Sequence, residues 1–264
     1  MKFKELGKTG EKIPALGMGT WDFGVNPPRE IESLKHGIKA GMKFIDTAEM
    51  YRTEGIVGHA IKGIDRVFIA TKVSPHHFRF QDVIDSCNSS LKKLGVKQID
   101  LYQLHWPNPD IPIKETMKAM EKLVDDGKIK YIGVSNFSVD QMKEAQEALK
   151  ENEIVSNQVK YSPLSRQIEN DLLPFCDKQK ITIIAYSPFE KGRLFADSKS
   201  IDFLREIGMK YQKTPVQVVL NWLISKKSVV AIPKASQKDH VEEISKSLDF
   251  LLKKEDMEKI NNFN

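Results

Sequence analysis

Four residues of types able to move a proton under control stand at comparable points of the chain. Asp46 and Tyr51 lie in "FIDTAEMYRTE", Lys72 in "RVFIATKV" and His105 at the end of "IDLYQLH". A phenol has a reference pKa of about 10 and gives up its proton reluctantly at neutral pH. An ammonium group close by favours phenolate and lowers that pKa, and a carboxylate paired with the ammonium keeps it charged and oriented. An imidazole can donate a hydrogen bond to a carbonyl oxygen as negative charge builds there. Together these groups are equipment for protonating a carbonyl while something else delivers hydride. No side chain supplies hydride, so a nicotinamide or a flavin is required. Taken singly, each residue has a plain structural reading: Asp46 as a cap, Lys72 as a solvated side chain, His105 as hydrogen-bonded structure. Their equivalent placement at three successive strand ends is what argues for chemistry.

The elements that must position them recur regularly. Eight short apolar runs, "ALGMGTW", "KFIDTA", "RVFIATKV", "IDLYQLH", "IKYIGVS", "VSNQVKY", "ITIIAYS" and "SVVAIPK", are apolar on both parities, as parallel strands covered on both faces are. Segments of helical periodicity alternate with them, from "REIESLKHGIKA" to "KDHVEEISKSLDF", several closed by a glycine as in "LKKLG". Eight strands alternating with eight helices predict a (β/α)8 TIM barrel, one domain over residues 1–264. "FKEL" and "KIPAL" read as the arms of an N-terminal hairpin closing the bottom. A doubly wound sheet is the rival, but no GxGxxG follows a strand. In such barrels chemistry sits at the C-terminal strand ends. Those ends are Gly19-Thr20-Trp21, Asp46-Thr47, Thr71-Lys72, His105-Trp106, Ser135-Asn136, Gln158 to Tyr161, Tyr186-Ser187 and Pro233-Lys234.

The bulk numbers describe an ordinary globular protein of 264 residues, 40% hydrophobic and 29% charged. Its formal charge of +5 comes from scattered lysines, which suits a small anionic ligand and argues against a nucleic-acid partner. The N-terminus is charged from residue 2, and no stretch approaches the length of a membrane span, so neither secretion nor a membrane is expected. Cys87 and Cys176 form no disulfide framework and have no metal-ligand spacing; no metal is expected, and a reducing cytoplasm suits them.

With these motifs in view, the sequence resembles the aldo-keto reductase family. "FIDTAEMYRTE", "IATKV", "DLYQLHWP", "IGVSNF", "SNQVKY", "AYSPF" and "IPKAS" match its motifs in family order over essentially the whole chain. The resemblance implies a barrel that binds a nicotinamide dinucleotide across its mouth without a Rossmann fold, and an enzyme that reduces aldehydes or ketones to alcohols. It implies Tyr51 as general acid, Lys72 lowering its pKa, Asp46 paired with Lys72, and His105 orienting the carbonyl. Ser135, Asn136 and Gln158 would bind the nicotinamide carboxamide, and Tyr186 would stack on the ring. Gly19, Thr20, Trp21 and Ile232 would line the cofactor's path. Ser187, Phe189 and the "KGRL" loop with Arg193 would cover the pyrophosphate. Lys234, Ala235, Ser236, His240 and Glu243 fall where the family grips the adenosine end. Many members carry serine or threonine at the position of Ala235 and arginine at that of His240. Arginine is always charged, whereas histidine is charged only near or below about pH 6.5. NADPH is the expected cofactor, through Lys234 and Lys238, with NADH possible, and NADPH affinity is expected to weaken from pH 6 to 8.

The substrate, a small carbonyl compound, would meet Trp21, Tyr51, His105 and Trp106, with Met50 completing an apolar wall. The chain is short of the extended C-terminal loop of longer members, which implies an open, permissive pocket for aldehydes, ketoaldehydes or small ketones; a monomer is expected. His76 and His77 read as solvated loop. Two other functions use the same residues differently. One is a cofactor-binding, redox-sensing regulatory protein with little turnover. The other is a hydrolase pairing Asp46 with Glu49, which would leave Lys72, Ser135-Asn136 and Tyr186 unexplained.

Overall fold

The computed structural model describes residues 2–263. The chain opens with an antiparallel hairpin, β1 (Phe3–Glu5) and β2 (Lys12–Pro14), whose turn places Gly7 and Gly10 at φ of 58° and 75°. Leu6 and Ile13 are fully buried against Phe44, Phe68, Leu101, Val155, Ile184 and Val230. Burying each is worth about 1.5–3 kcal/mol. The Gly7 N–H donates to Thr182 Oγ1 at 2.9 Å and Lys4 Nζ donates to the Val229 carbonyl at 2.5 Å. Thr182 and Val229 begin their strands, so the hairpin closes the N-terminal end of the barrel, as its sequence predicts.

Eight parallel strands follow in chain order: β3 (Met18–Gly19), β4 (Phe44–Asp46), β5 (Phe68–Val73), β6 (Ile99–Leu104), β7 (Ile129–Ser135), β8 (Ile154–Lys160), β9 (Thr182–Tyr186) and β10 (Val229–Ala231). Each pairs with its sequence neighbour, and bridges from Leu16 to Ala231 and from Gly19 to Lys234 join the last strand to the first. At this seam the Gly19 N–H donates to the Pro233 carbonyl at 3.0 Å. A Cβ on Gly19 would lie 2.8 Å from the Ile232 carbonyl oxygen, so only glycine lets the two backbones meet there.

Helices α1 (Pro27–Lys39), α2 (Glu54–Ile61), α3 (Phe80–Leu94), α4 (Ile113–Asp125), α5 (Val139–Glu147) and α6 (Leu172–Gln179) cover the first crossovers. Ser138 and Thr214 cap their helices reciprocally with Gln141 and Gln217, and Gly95 ends α3 at φ 68°. The long segment between β9 and β10 resolves into α7 (Arg193–Ala196), α8 (Ser198–Met209) and α9 (Pro215–Ser225). After β10 come α10 (Lys238–Ser245) and α11 (Lys254–Asn261), the final helix.

The strand period of two builds the interior in layers. Phe44, Ala70 and Leu101 belong to the apolar floor, and two residues on along the same strands stand Asp46, Lys72 and Gln103. Gly133 makes this possible: a Cβ there would meet Ser156 Oγ at 2.6 Å and the Gln103 Cγ at 3.0 Å. The polar layer needs that missing side chain.

Candidate active site

Lys72 is 0% exposed, at the top of β5. Its Nζ donates to Asp46 Oδ2 at 2.6 Å and to the Thr47 carbonyl at 2.8 Å. The other carboxylate oxygen of Asp46 accepts from Gln158 Nε2 at 2.6 Å and from Gln103 Nε2 at 3.5 Å. A buried ion pair persists only when its spare lone pairs and protons are satisfied in this way. Burial works against the Lys72 charge, but Asp46 and Tyr51 outweigh it and raise its pKa above the ordinary value. Lys72 is therefore an ammonium at neutral pH.

Tyr51 ends a single turn of 3-10 helix, Glu49–Tyr51, closed by Arg52 at a left-handed φ of 59°. The Lys72 Nζ lies 4.8 Å from the centre of its ring. Burial raises the Tyr51 pKa and Lys72 opposes it; burial wins. Lys72 does lower the phenol's pKa, as expected, but burial, which the sequence does not show, outweighs it. The ammonium instead limits how costly a phenolate becomes, while the resting phenol keeps its proton.

The Tyr51 hydroxyl is 3.4 Å from His105 Nε2, and the two rings meet edge to face with centres 5.3 Å apart. Burial, and then Lys72, push the His105 pKa down to about 3, so the imidazole is neutral. Its Nδ1 is buried and has no hydrogen-bond partner among the described residues. An N–H there would be stranded, so the geometry favours the tautomer with the proton on Nε2, facing Tyr51. His105 can then donate to an oxygen placed beside the phenol.

These groups open into a cleft of about 490 Å³ at the C-terminal ends of the strands. Its walls include Gly19, Trp21, Asp46, Tyr51, His105, Trp106, Ser135, Asn136, Gln158, Tyr186, Ser187, Phe189, Ile232 and Lys234. Among them the polar groups are already arranged: the Tyr186 hydroxyl donates to Asn136 Oδ1 at 3.0 Å, and the Asn136 amide donates to the His105 carbonyl at 3.2 Å. The Ser135 hydroxyl donates to the Gln158 carbonyl at 2.8 Å. Asn136 and Ser187 hold left-handed φ of 61° and 51°, an uncommon backbone for residues other than glycine. An aromatic face flanked by a serine, an asparagine and a glutamine, all groups able to hydrogen-bond an amide, and running to a lysine at the rim, has the chemistry to take a nicotinamide dinucleotide.

Other expected site residues lie elsewhere. Thr20 is buried behind the wall, its hydroxyl donating to the Asp46 carbonyl at 3.1 Å and lying 3.0 Å from Thr53 Oγ1. Arg193 opens α7 and is exposed. Ala235 packs its side chain into the core while its carbonyl accepts from Ser33 Oγ at 2.7 Å. Ser236 and Glu243 are half-buried and His240 is exposed at α10, all outside the cleft wall. Trp21 and Trp106, 46% and 37% exposed, do form apolar walls, whereas Met50, also exposed, is not part of the lining. Glu49 is likewise outside it. His77 is exposed in the loop after β5, as expected, but it also has a partner: its Nδ1 lies 2.7 Å from Glu49 Oε1.

Sequence reasoning missed Gln103 and Asp22. The first was findable, since alternation along "LYQLH" puts Gln103 on the His105 face. Asp22, which pairs with Lys234 at 3.3 Å, carries no local signal. Among the described residues no group of three or more acidic, histidine or cysteine side chains could hold a metal, and no helix is long and apolar enough to cross a membrane.

The profile of the Aldo/keto reductase family matches residues 15–264. The chain is 40% identical over 239 residues to the methylglyoxal reductase YeaE of Escherichia coli (strain K12), covering 88% of this chain and 84% of that protein. Among solved structures, a thermostable aldo-keto reductase, Tm1743, bound to the inhibitor epalrestat, superimposes with a TM-score of 0.94 at 43% identity, covering 99% of each chain. An aldo/keto reductase from Klebsiella pneumoniae in complex with NADP and acetate does so with a TM-score of 0.89 at 36% identity, covering 99% of this chain and 95% of that one.

Proposed function

The chain belongs to the aldo/keto reductase family, and on that premise we propose that Tyr51 is the general acid of an NADPH-dependent reduction of small aldehydes and ketones. The observation that carries this reading is the fully buried Lys72–Asp46 pair, 2.6 Å long, lying directly against the Tyr51 ring beside the cleft. A charge hidden so completely has a purpose where charge develops nearby in a reaction.

NADPH, when bound, supplies the hydride. Ser135, Asn136 and Gln158 would hold its carboxamide and Tyr186 its ring, with Ser187, Phe189 and Arg193 toward the phosphates and Lys234, Ser236, His240 and Glu243 toward the adenosine end. The substrate oxygen accepts hydrogen bonds from Tyr51 and from His105 Nε2. As negative charge grows on that oxygen, the Tyr51 proton moves to it, and Lys72 stabilises the phenolate left behind. Asp46 keeps Lys72 charged and in place. Trp21 and Trp106 would line the apolar side of the substrate's place in the cleft. The relative in Escherichia coli is named for methylglyoxal, and the same small, ketoaldehyde-sized substrates suit this cleft. The buried free Cys87 and Cys176 are consistent with a reducing, cytoplasmic setting.

Tyr51→Phe tests the reading. The rate of absorbance loss at about 340 nm with NADPH and an aromatic aldehyde should fall by about 100-fold or more, within the ~10²–10⁴ range of general acid catalysis. NADPH affinity, followed by protein fluorescence, should stay nearly unchanged. A variant that retains reduction would remove Tyr51 from the acid role.

A further inference from the structure

The turn that carries Tyr51 cannot hold the tyrosine by itself. It is one turn of 3-10 helix, held by the Tyr51 N–H to Ala48 carbonyl bond at 3.1 Å and the Arg52 N–H to Glu49 carbonyl bond at 3.2 Å. Such turns have poor hydrogen-bond geometry. Arg52, which ends it, holds a left-handed φ of 59° that a side-chain-bearing residue adopts at a cost. Yet the phenol must stay close to Lys72 and His105, which belong to two other strands.

We propose that Glu49 is the positioning residue that supplies this constraint. Its carboxylate turns away from the cleft and reaches the loop that follows β5. Oε2 accepts the Ser74 N–H at 2.9 Å, two residues beyond Lys72 on the same stretch of chain. Oε1 accepts from His77 Nδ1 at 2.7 Å and from Ser86 Oγ on α3 at 3.4 Å. A carboxylate only accepts, so His77 presents Nδ1–H to it. Ser86 Oγ is also 3.2 Å from His77 Nδ1, which closes the cluster. Glu49 thereby ties the tyrosine turn to the exit of the lysine strand and to the helix after it. The distance between the phenol and its ammonium is set through this tie. Glu49 touches neither cleft nor substrate, so its effect on the reaction is carried wholly through Tyr51.

This rests on Tyr51 being the acid, and the test separates the two ideas. Glu49→Ala, Glu49→Gln, His77→Ala and Tyr51→Phe would be compared by the single-turnover rate of NADPH oxidation at saturating aldehyde, by NADPH affinity and by thermal midpoint. Glu49→Ala should slow the single turnover by ~10–100-fold, the scale of a misplacement of about 1 Å. Its NADPH affinity should remain within about twofold, because cofactor contacts are untouched. Glu49→Gln should recover to within about threefold of wild type, since its amide oxygen still accepts the Ser74 N–H. A Glu49→Ala rate within twofold of wild type, or a loss that the glutamine fails to rescue and that NADPH affinity shares, would overturn the proposal. If Glu49→Ala does not fold, His77→Ala carries the test. It should be slower by about fivefold with NADPH affinity intact, and an unchanged rate overturns the proposal. Should Tyr51→Phe remain active, the acid reading is what fails.

Discussion

Removing the Lys72 charge while keeping its bulk, as in Lys72→Met, measures what the buried ammonium does for the phenol. Across the 4.8 Å to the Tyr51 ring, with an effective dielectric of about 20, the interaction favours phenolate by about 3.5 kcal/mol, or roughly 300-fold in rate if the transition state carries most of that charge. The single variant also strands the Asp46 carboxylate under the barrel mouth, at about 3–5 kcal/mol of stability, which confuses the reading. Asp46→Asn with Lys72→Met removes both charges and should restore most of the stability but not the rate. The assay is stopped-flow oxidation of NADPH with an aromatic aldehyde from pH 6 into the alkaline range beyond the ordinary phenol pKa of about 10, beside urea denaturation of each variant. Reduction uses the protonated phenol, so the rate falls as pH passes the Tyr51 pKa. Burial raises that pKa and Lys72 draws it down, and loss of Lys72 must therefore carry the alkaline limb to higher pH. A double variant within tenfold of wild type, or a limb that moves down, would refute the electrostatic argument.

Three further outcomes follow from the same physics. Because burial and Lys72 hold the His105 pKa to about 3, the reduction rate should show no acid limb from this residue between pH 5 and 8; a limb near pH 6.5 that vanishes in His105→Gln would contradict it. Gly133→Ala drives a methyl group against Ser156 Oγ and Gln103, with an expected cost of about 1–3 kcal/mol in urea denaturation and a slower reaction as Gln103 shifts beneath Asp46. Lys4, with its pKa lowered to about 7 by burial and then by Lys2 against the pull of Asp177, binds fewer protons folded than unfolded. Its contribution to stability is complete above the unfolded lysine pKa and is lost as pH falls through about 7, so urea midpoints should rise from pH 7 to 9 less steeply in Lys4→Met than in wild type.

Much of this architecture is legible from one dimension because two periodicities carry it. The eight apolar runs and the helices between them predict the barrel, and the change from Phe44 to Asp46 or from Ala70 to Lys72 marks where floor gives way to chemistry. Ser135, Asn136, Gln158 and Tyr186 are found by the same rule, as strand-end residues that must face one mouth. What local pattern does not hold is whatever depends on contact across the fold. The pairing of Asp22 with Lys234 joins positions 212 residues apart. The cation–π contact of Lys191 Nζ with Trp21, 4.2 Å from the ring centre, depends on how two loops lean together. His77 reads as loop because its partner, Glu49, precedes it by 28 residues. The balance at Tyr51 was equally hidden, since the charge types are visible in sequence but the depth of burial is not.

The two carboxylates three residues apart show why placement, and not residue type, decides the chemistry. Asp46 ends a strand, so its side chain enters the barrel, where Lys72, Gln103 and Gln158 take up its oxygens. Glu49 sits one turn later, and the 3-10 geometry aims it outward at Ser74 and His77. A hydrolytic pair needs both groups to face one substrate across a gap. Here one is spent on holding an ammonium, and the other faces a different loop with no access to the cleft. On the proposed reading both carboxylates bear on Tyr51 instead: Asp46 by keeping the ammonium beside it charged, Glu49 by tying down the turn on which it stands. The acidic residues of "DTAEMY" would then support a proton donor without themselves exchanging protons with substrate.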